Sequence, residues 1–282
     1  MPLRRDVTFG IVTISYNQSR FLEECLNSIA SQTEVRIQHV IVDAGSDDGS
    51  LELLRSYSGL HEVLVGPDDG PADGLNMAFA RLGEIDFFGY VNSDDYLLPR
   101  ALATIAAAAR MSPEFDIYYG DGLLVDEDGT TVRHYRAPPR LRLRGVAIGV
   151  TIPLQQSMFF RRGCLPASPF NRANRTAWDT ELLLDRLRAG FRTVRVPAEL
   201  AAFRIHADGF TGSGRHLHRV KQEHRRMYVE YCGVEWNALT TVEALGRRVG
   251  KAMAAAIVDP GYAIVRARQL ARKPSRARAG QH

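Results

Sequence analysis

The sequence predicts an α/β protein whose mainly parallel sheet carries helices on both faces, followed by a mixed or antiparallel half and a helical C-terminal tail. Two observations predict this class. Short β-rich runs alternate with amphipathic helical patterns in residues 1–112, which is typical of parallel strands joined by crossover helices. Beyond that point, two β-rich runs lie on either side of Asp128-Gly129, a turn signal that indicates an antiparallel hairpin.

The first half is expected to hold four strands, each followed by a helix. The strands are predicted at residues 9–14, 37–42, 63–65 and 87–91. The first helix is indicated by apolar residues at helical spacing, namely Phe21, Leu22, Cys25, Leu26 and Ile29. The second follows from leucines at positions 51, 53 and 54. Pro71 at a first helical position begins the third helix, and the fourth runs from Pro99 to about Met111.

Strands and helices do not alternate regularly in the second half. The hairpin pairs residues 117–119 with 131–135, and further strands are predicted at 157–160, 193–196 and 200–205. Helices are predicted at residues 177–189 and 216–231. Residues 136–150 combine Pro138-Pro139 with several Arg and Gly, which indicates an irregular loop able to order on ligand binding.

The composition is ordinary for a soluble globular protein that can bury its own core: 282 residues, 45% apolar and 24% charged. Cys25, Cys164 and Cys232 show no metal or disulfide spacing, which favours a reducing compartment. Residues 7–14 are interpreted as the first strand rather than as a signal peptide. No apolar stretch reaches the roughly 20 residues that span a bilayer, so we expect no integral membrane segment.

Basic side chains concentrate near the C-terminus, although the net charge is only +4. In residues 247–278 they face a single acidic residue, Asp259. This tail is either a solvated end or a contact with an anionic membrane surface. The helix-like stretch 242–258 is compatible with lying on a membrane and equally with packing on the protein body. We expect no nucleic-acid partner.

Polar residues follow each of the first four predicted strands. Because ligands of open parallel sheets bind beyond the carboxyl ends of the strands, these residues are predicted to form one acidic rim. In strand order they are Thr13, Ser15, Tyr16 and Asn17, then Asp43, Asp47 and Asp48, then Asp68, Asp69 and Asp73, and finally Asn92, Asp94 and Asp95.

Two adjacent carboxylates at a strand end repel each other unless a cation is present. Asp94 and Asp95 form such a pair, and hard divalent cations such as Mn²⁺ or Mg²⁺ prefer oxygen ligands shared with phosphates. The rim therefore favours a metal that bridges a diphosphate. The alternative for Asp94-Asp95 is a helix cap ahead of Pro99, and the alternative for Asp47-Asp48 is a plain turn.

Four segments of the sequence occur in a recognisable order and spacing: residues 13–17, residues 42–50, residues 73–76 and residues 90–95. Together they resemble the family 2 glycosyltransferases, which have the GT-A fold. Gln156-Ser157, Trp178-Asp179 and Arg204-Ile-His206 extend the resemblance, which covers roughly residues 8 to 210. A single motif would be weak, whereas the ordered set is specific.

The resemblance implies a site for a nucleoside-diphosphate sugar. Asp43 would accept a hydrogen bond from the base, Asp94 would face the ribose or sugar, and Asp95 would be the metal ligand. His206 would approach the metal or the diphosphate. Further donor-binding residues would be Thr13, Ser15, Tyr16, Asn17, Asp73 and Asn76. Asn92 stands where many relatives carry a carboxylate, which leaves one acidic ligand fewer.

The resemblance also assigns the general base to Asp179, although Trp178 replaces the Glu that usually precedes it. Residues 176–179 fit a capping box as well, in which Asp179 would satisfy a main-chain N–H. Glu181 is the second candidate for the base. Gln156 and Trp178 are expected on the acceptor side.

The implied activity is inverting, metal-assisted transfer of a sugar to a hydroxyl of a saccharide or lipid-linked acceptor, in cell-envelope polysaccharide or glycolipid synthesis. Residues 1–112 would bind the donor, residues 113–232 would bind the acceptor, and residues 233–282 would form a basic helical extension. We expect a cytoplasmic protein, peripheral on the inner face of the plasma membrane. Two alternatives stay open: a catalytically silent nucleotide-sugar-binding module, and a nucleotide-sugar hydrolase.

Overall fold

The computed structural model describes residues 6–57, 59, 61–209 and 216–258, and within them nine strands form one sheet. The first half supplies strands β1 (Thr8–Ser15), β2 (Arg36–Asp43), β3 (His61–Val65) and β4 (Phe87–Tyr90). It also supplies helices α1 (Ser19–Ala30), α2 (Ser50–Ser56), α3 (Pro71–Phe79) and α4 (Ala101–Met111). The predicted alternation of strands and helices is thus confirmed.

These four strands are parallel and lie in the order β3-β2-β1-β4. Their carboxyl ends therefore meet at one edge of the sheet, as predicted. Phe9, Ile11 and Val12 of β1 have no exposed surface, because helices cover both faces of a parallel sheet. Alternation along a strand sends neighbours to opposite faces, so that Phe87 and Phe88 belong to different apolar clusters.

The second half adds β5 (Tyr96–Leu97), β6 (Ile117–Val125), β7 (Thr131–Tyr135), β8 (Met158–Arg161) and β9 (Thr193–Arg204). β8 joins the sheet antiparallel to β4 and β6, and β9 lies parallel to β6 and antiparallel to β5. A hairpin forms between β6 and β7 as predicted, but residues 122–125 pair with 131–135, whereas residues 117–119 pair with β8 and β9. The two strands predicted at residues 193–205 are one strand, because the Pro197 region is a register shift opposite Asp121 rather than a turn.

The helices of the second half are α5 (Leu143–Ala147), α6 (Trp178–Arg188), α7 (Leu217–Cys232) and α8 (Ala238–Val258). The prediction of a wholly irregular segment at 136–150 is therefore wrong, since α5 lies within it. Leu183 of α6 and Met227 of α7 are buried in the cluster that also holds Tyr90 and Tyr119. The two helices thus cover the face of the sheet on which the site described below is built.

The first part of α8 packs on the protein body. Thr240 and Ala244 are buried, and Glu243 binds Arg144 at 2.6 Å between Nη2 and Oε2. The opposite face of this helix exposes Leu239, Val242, Leu245 and Val249. Residues 259–282, which hold most of the predicted basic tail, lie outside the described residues. Within the described part of the chain, none of the helices combines the length and apolar character needed to cross a bilayer.

Candidate active site

The loop that follows β2 is organised by Asp43. Its Oδ1 accepts hydrogen bonds from the main-chain N–H groups of Gly45 (3.0 Å) and Ser46 (2.7 Å), and its Oδ2 accepts one from Ser46 Oγ (2.8 Å). Asp43 has no exposed surface. Asp43 thus holds the loop together from within, and its predicted contact with a base stays a prediction.

Thr13 lies beneath the rim rather than on it. Its hydroxyl bonds His39 Nε2 at 2.9 Å, and the residue is fully buried. Alternation along β1 places this side chain on the same face as Phe9 and Ile11, where it has no surface open to a nucleotide, so its predicted donor contact stays a prediction. Ser15, two residues on, is at the end of the strand, and its buried hydroxyl has no hydrogen-bond partner.

Tyr16 and Asn17 complete the first loop. Tyr16 is 61% exposed, so its ring is available to a ligand. Asn17 adopts a left-handed conformation with φ of 52°, which Asn tolerates better than most residues. Its N–H donates to Ser46 Oγ (2.8 Å) and its Oδ1 accepts from Asp47 N (3.0 Å). Asn17 therefore locks the first loop to the second.

Asp48 joins the same two loops from the other side. It accepts hydrogen bonds from the main-chain N–H of Ser19 (2.8 Å) and of Ser50 (3.0 Å), at the starts of α1 and α2. Partial burial alone would raise the pKa of Asp48, but the hydrogen bonds from Ser50 and Ser19 outweigh it and lower the pKa to about 2. The interpretation of Asp47-Asp48 as a plain turn thus describes part of the role of Asp48, which also joins the two loops.

The third loop is tied to the chain that leads into α6. Asp73 Oδ1 binds Arg172 Nε at 2.9 Å, and its Oδ2 accepts from Asp69 N at 2.9 Å. Asp69 in turn binds Arg175 Nη2 at 2.8 Å. Asp73 keeps a partly exposed side chain at the first turn of α3, so its predicted position beside a donor is compatible with the structure.

Asn76 has a structural role. Its Nδ2 donates to Phe170 O (2.8 Å), and its Oδ1 accepts from Phe170 N (3.0 Å), in the manner of a strand pair. Both polar atoms of this buried amide are therefore used within the protein. The prediction that Asn76 lines the donor pocket is not supported, because the amide holds the loop that precedes α6.

The fourth loop contains the acidic pair, and its two members differ. Asp95 is 1% exposed, and its Oδ1 accepts from the main-chain N–H of Arg204 at 2.9 Å. Burial, together with the charge of Asp94, holds the pKa of Asp95 well above its usual range. Asp94 is more open, and its Oδ2 lies 3.1 Å from His206 Nε2. The structure thus turns Asp94, and not Asp95, towards His206.

Asp94 is the more accessible member of the pair, and the assignment of the metal to Asp95 stays a prediction. Asp95 is 1% exposed with Oδ1 bonded to the Arg204 N–H, whereas Asp94 is more open and its Oδ2 is within hydrogen-bonding distance of His206 Nε2. Three or more His, Cys, Asp or Glu side chains converge nowhere in the described ranges. A pair of protein ligands nevertheless fits Mn²⁺ or Mg²⁺, because these ions commonly complete their coordination with water and substrate phosphates.

Arg204 holds the fourth loop in place, and the sequence analysis did not identify it as a site residue. Its Nε donates to Asp94 O (3.0 Å), and its Nη1 donates to Asp126 O and Glu127 O (both 3.2 Å). Its Nη2 binds Glu24. The guanidinium also lies over the rings of Phe21 and Tyr96. The Arg-x-His spacing with His206 was the available signal.

Asp179 is the second residue of α6, and its carboxylate forms no ion pair with a described residue. Its one side-chain hydrogen bond in the described ranges is with Thr180, whose Oγ1 is 3.4 Å from Oδ1. Burial raises the pKa of Asp179, and main-chain N–H groups at the start of the helix offset part of this effect. A partly enclosed carboxylate with a raised pKa has the properties of a general base.

The predicted capping box does not form. The N–H groups of Thr176 and Ala177 donate to Asn174 Oδ1 (3.1 and 2.9 Å), so Asn174 caps this turn. The Thr176 hydroxyl is buried without a partner. Asp179 nevertheless interacts with main-chain N–H groups at the start of α6, so a capping contribution and a role as base can coexist.

Glu181, the second candidate for the base, is a buried anchor. Its two oxygens accept hydrogen bonds from Asn171 Nδ2 (3.0 Å) and Asn174 Nδ2 (2.6 Å), and Arg226 of α7 binds it at 2.9 Å. With both oxygens occupied and 3% exposure, Glu181 cannot reach a substrate proton. Its geometry excludes it as a base in this conformation.

A chain of hydrogen bonds joins the acidic loop to α6. Asn92 Nδ2 lies 3.4 Å from Gln155 Oε1, and Gln155 donates to Tyr90 O. The Tyr90 hydroxyl accepts from Trp178 Nε1 at 3.2 Å, directly before Asp179. Burial raises the pKa of Tyr90, and the charge of Asp179 raises it further.

Gln156 follows Gln155 in a 3-10 turn, Gln155–Ser157. It is 1% exposed, and neither of its amide atoms has a hydrogen-bond partner. Buried amides are normally paired, so this side chain has unused capacity for a ligand or water. The expectation that Gln156 and Trp178 lie on the acceptor side stays a prediction.

Comparison with known proteins identifies the family. The family model described as glycosyl transferase family 2 matches residues 10–165, more than half of the chain. The chain belongs to glycosyl transferase family 2. An O-antigen biosynthesis protein of Myxococcus xanthus is 32% identical over 143 residues, which are 49% of this chain and 11% of that protein.

A second family 2 relative is a poly(ribitol-phosphate) β-N-acetylglucosaminyltransferase of Staphylococcus aureus, 28% identical over 131 residues, which are 44% of this chain and 22% of that enzyme. The matched region spans only a minor part of the length of both curated relatives.

Solved structures show the same fold. The 1–349 fragment of S. aureus TarS in complex with UDP-GlcNAc aligns with a TM-score of 0.59 and 18% identity, over 80% of this chain and 72% of that one. A mannosyltransferase from Pyrobaculum calidifontis in complex with GDP-Man and Mn²⁺ aligns with a TM-score of 0.59 and 19% identity, over 97% of this chain and 78% of that one. This family 2 chain therefore has the GT-A fold, as predicted.

Proposed function

We propose that this chain is an inverting glycosyltransferase that moves a sugar from a nucleoside-diphosphate donor to a hydroxyl acceptor. The observation that carries the proposal is that a candidate metal site and a candidate general base lie at the same end of the sheet. Asp94 and His206 face each other at 3.1 Å on one side, and on the other Asp179 directly follows Trp178, whose Nε1 donates to the Tyr90 hydroxyl. Residues 1–112 supply the donor side, and residues 113–232 supply the base and the acceptor side.

In this proposal the open end of the sheet holds the donor. Tyr16 offers an exposed ring, Asp43 holds together the loop that follows β2, and Asp73 lies at the first turn of α3. Asp94 and His206 would hold a divalent ion. A bound Mn²⁺ or Mg²⁺ supplies positive charge that stabilises the departing diphosphate. Arg204 keeps Asp94 in place through its main-chain carbonyl.

Asp179 performs the proton transfer. Its carboxylate accepts the proton of the acceptor hydroxyl as the oxygen attacks the anomeric carbon from the face opposite the diphosphate. The new C–O bond forms while the bond between the anomeric carbon and the diphosphate oxygen breaks, and the electron pair leaves with the diphosphate. One such displacement inverts the anomeric centre. The raised pKa of Asp179 makes its carboxylate a stronger base than an exposed aspartate.

A thermal-shift panel of nucleoside diphosphates and their sugars, with and without Mn²⁺ or Mg²⁺, tests the donor class. A site ligand raises the apparent stability by mass action, by about 2.7 kcal/mol at a hundredfold excess over its Kd. We expect a metal-dependent rise in Tm with one nucleotide base. Absence of a shift across the whole panel would refute nucleotide-sugar binding. Donor binding with no release of nucleoside diphosphate in the presence of cell-envelope acceptors would support a catalytically silent module. Release of nucleoside diphosphate without transfer of the sugar to an acceptor would support a hydrolase.

The acceptor is proposed to be a saccharide or lipid-linked molecule of cell-envelope polysaccharide or glycolipid synthesis, because curated relatives are named for O-antigen and poly(ribitol-phosphate) chemistry. We further propose a cytoplasmic protein that contacts the anionic inner face of the plasma membrane. Exposed Leu239, Val242, Leu245 and Val249 on α8 support that contact. Vesicle flotation should retain the full chain and lose a chain ending at Cys232; equal flotation would contradict membrane contact.

A further inference from the structure

A second cavity, of about 440 Å³, opens beside the loop that joins β7 to α5. It is distinct from the acidic loops that form the proposed donor site. Its wall combines three arginines with apolar residues: Arg136, Arg195, Arg247, Ala137, Pro138, Pro139, Val150 and Thr151. Such a wall suits a ligand that carries negative charge on an otherwise compact body.

The arginines of this cavity are only partly neutralised. Arg195 pairs with Asp121, with 3.0 Å between Nε and Oδ1. Arg247 binds Glu243 at 3.0 Å, but the same carboxylate also binds Arg144. Two guanidinium groups therefore share one carboxylate, and one positive charge remains.

Arg136 is exposed, and it forms no hydrogen bond or ion pair with any residue in the described ranges. Arg144 shares Glu243 with Arg247. Together with Arg136 and Arg195, four guanidinium groups therefore face two carboxylates, Asp121 and Glu243. The excess positive charge is thus a property of the cavity and does not depend on one flexible side chain.

The surrounding sequence enhances this charge. Arg140 and Arg142 lie on the same loop as Arg136, and the chain has no acidic residue between Asp128 and Asp179. Ala137 and Val150 are buried, and two prolines stiffen the adjoining turn. A low-dielectric wall concentrates the field of the arginines at the opening.

The cavity is within reach of the reaction centre. Tyr119, which packs in the same cluster as Tyr90 and Trp178, donates from its hydroxyl to Pro138 O at 2.9 Å. Thr151 lines the cavity, and Gln155, four residues on, donates to Tyr90 O. Four residues span at most about 14 Å, so the Thr151 wall of the cavity lies within that distance of Gln155.

We propose that this cavity binds an anionic group of the acceptor, a phosphate or a carboxylate, at a fixed distance from the hydroxyl that is glycosylated. The inference rests on the proposed function, because it assigns the acceptor class for that same site. Arg136 and Arg247 make the charged contacts, and Arg195, fixed by Asp121, forms the inner wall. The donor is not the ligand, since its diphosphate is assigned to Asp94 and His206.

Binding of labelled oligomers to the full chain, measured by fluorescence anisotropy, tests the proposal. The probes are an oligo(glycerol phosphate), an oligogalacturonate and a neutral malto-oligosaccharide, matched in length. The variants are Arg136→Ala, Arg247→Ala and the double variant. Arg140→Ala is the matched control, because Arg140 is exposed on the same loop but does not line the cavity.

We expect at least one anionic probe to bind and the neutral probe not to bind. Arg136→Ala and Arg247→Ala should each weaken binding about tenfold, the effect of losing one charge-assisted hydrogen bond, and Arg140→Ala should change it little. Loss with the phosphate probe alone identifies a phosphodiester acceptor, and loss with the uronate probe alone identifies a carboxylate.

Equal losses in Arg136→Ala and Arg140→Ala would overturn the proposal in favour of a diffuse basic surface. Loss of flotation with anionic vesicles in the cavity variants, without loss of oligomer binding, would overturn it in favour of a lipid surface. Donor thermal shifts measured on the same variants separate the two proposals. If the cavity variants keep both the donor thermal shift and probe binding, the cavity proposal alone is refuted. If the unmodified chain shows no donor thermal shift, the proposed function is refuted.

Discussion

Replacement of Asp179 by asparagine is expected to lower kcat by about 10²–10⁴-fold while leaving donor binding largely intact. Asparagine keeps the size of the side chain and its hydrogen bonds at the start of α6, but it cannot accept a proton. Because Asp179 forms no ion pair with any described residue, the change should not disturb the fold. Release of nucleoside diphosphate in the presence of acceptor, together with the donor thermal shift, measures the two effects separately.

The same site predicts a pH dependence. Burial raises the pKa of Asp179 above that of an exposed aspartate, and the base must be ionised to act. Activity should therefore fall as the pH decreases through this raised pKa, so the acid limb of kcat/KM should lie above the pKa of an exposed aspartate. Asp179→Glu should retain part of the activity and move the limb. Turnover at the normal rate in Asp179→Asn would exclude Asp179 as the base.

Glu181→Gln is the matched control, since it removes the only other carboxylate in the first turn of α6. Glu181 accepts hydrogen bonds from Asn171 and Asn174 and binds Arg226, so the variant leaves a buried network incomplete. We expect a lower Tm, corresponding to about 1–3 kcal/mol, with kcat retained well below that Tm. A large loss of kcat without a change in Tm would restore Glu181 as a candidate base.

Asp94→Asn and His206→Ala are expected to raise the Mn²⁺ concentration for half-maximal activity by at least about tenfold. Each variant removes one of the two side chains that face each other at 3.1 Å. Chelation of divalent ions should abolish turnover of the unmodified chain, and added Mn²⁺ should restore it. The measurement is a metal titration of nucleoside-diphosphate release at saturating donor.

Asp95→Asn distinguishes the two members of the acidic pair. Asp95 is buried, and its Oδ1 accepts from the main-chain N–H of Arg204, an interaction that an amide oxygen can keep. We therefore expect a metal titration close to that of the unmodified chain. If Asp95→Asn instead shifted the titration as strongly as Asp94→Asn, Asp95 would be a metal ligand, as the sequence first suggested.

The sequence allowed the class of protein to be predicted because its signals are local. Strand and helix patterns depend on spacing within one segment, and the motifs from Thr13 to His206 lie in a fixed order along the chain. Strand ends could also be located, which predicted that polar residues such as Asp43, Asp73 and Asp94 would share one edge. Parallel pairing of β3, β2, β1 and β4 makes that edge.

The sequence by itself determined the family, the GT-A fold and the edge of the sheet where the polar residues meet. Only the tertiary structure decided what each polar side chain does, because a hydrogen bond between distant residues leaves no local pattern. Asn76 is engaged by Phe170 and Glu181 by Arg226, while Arg204 buries Asp95 and leaves Asp94 to face His206. Burial and partner identity, which set the pKa and availability of a carboxylate, arise only when these segments pack together.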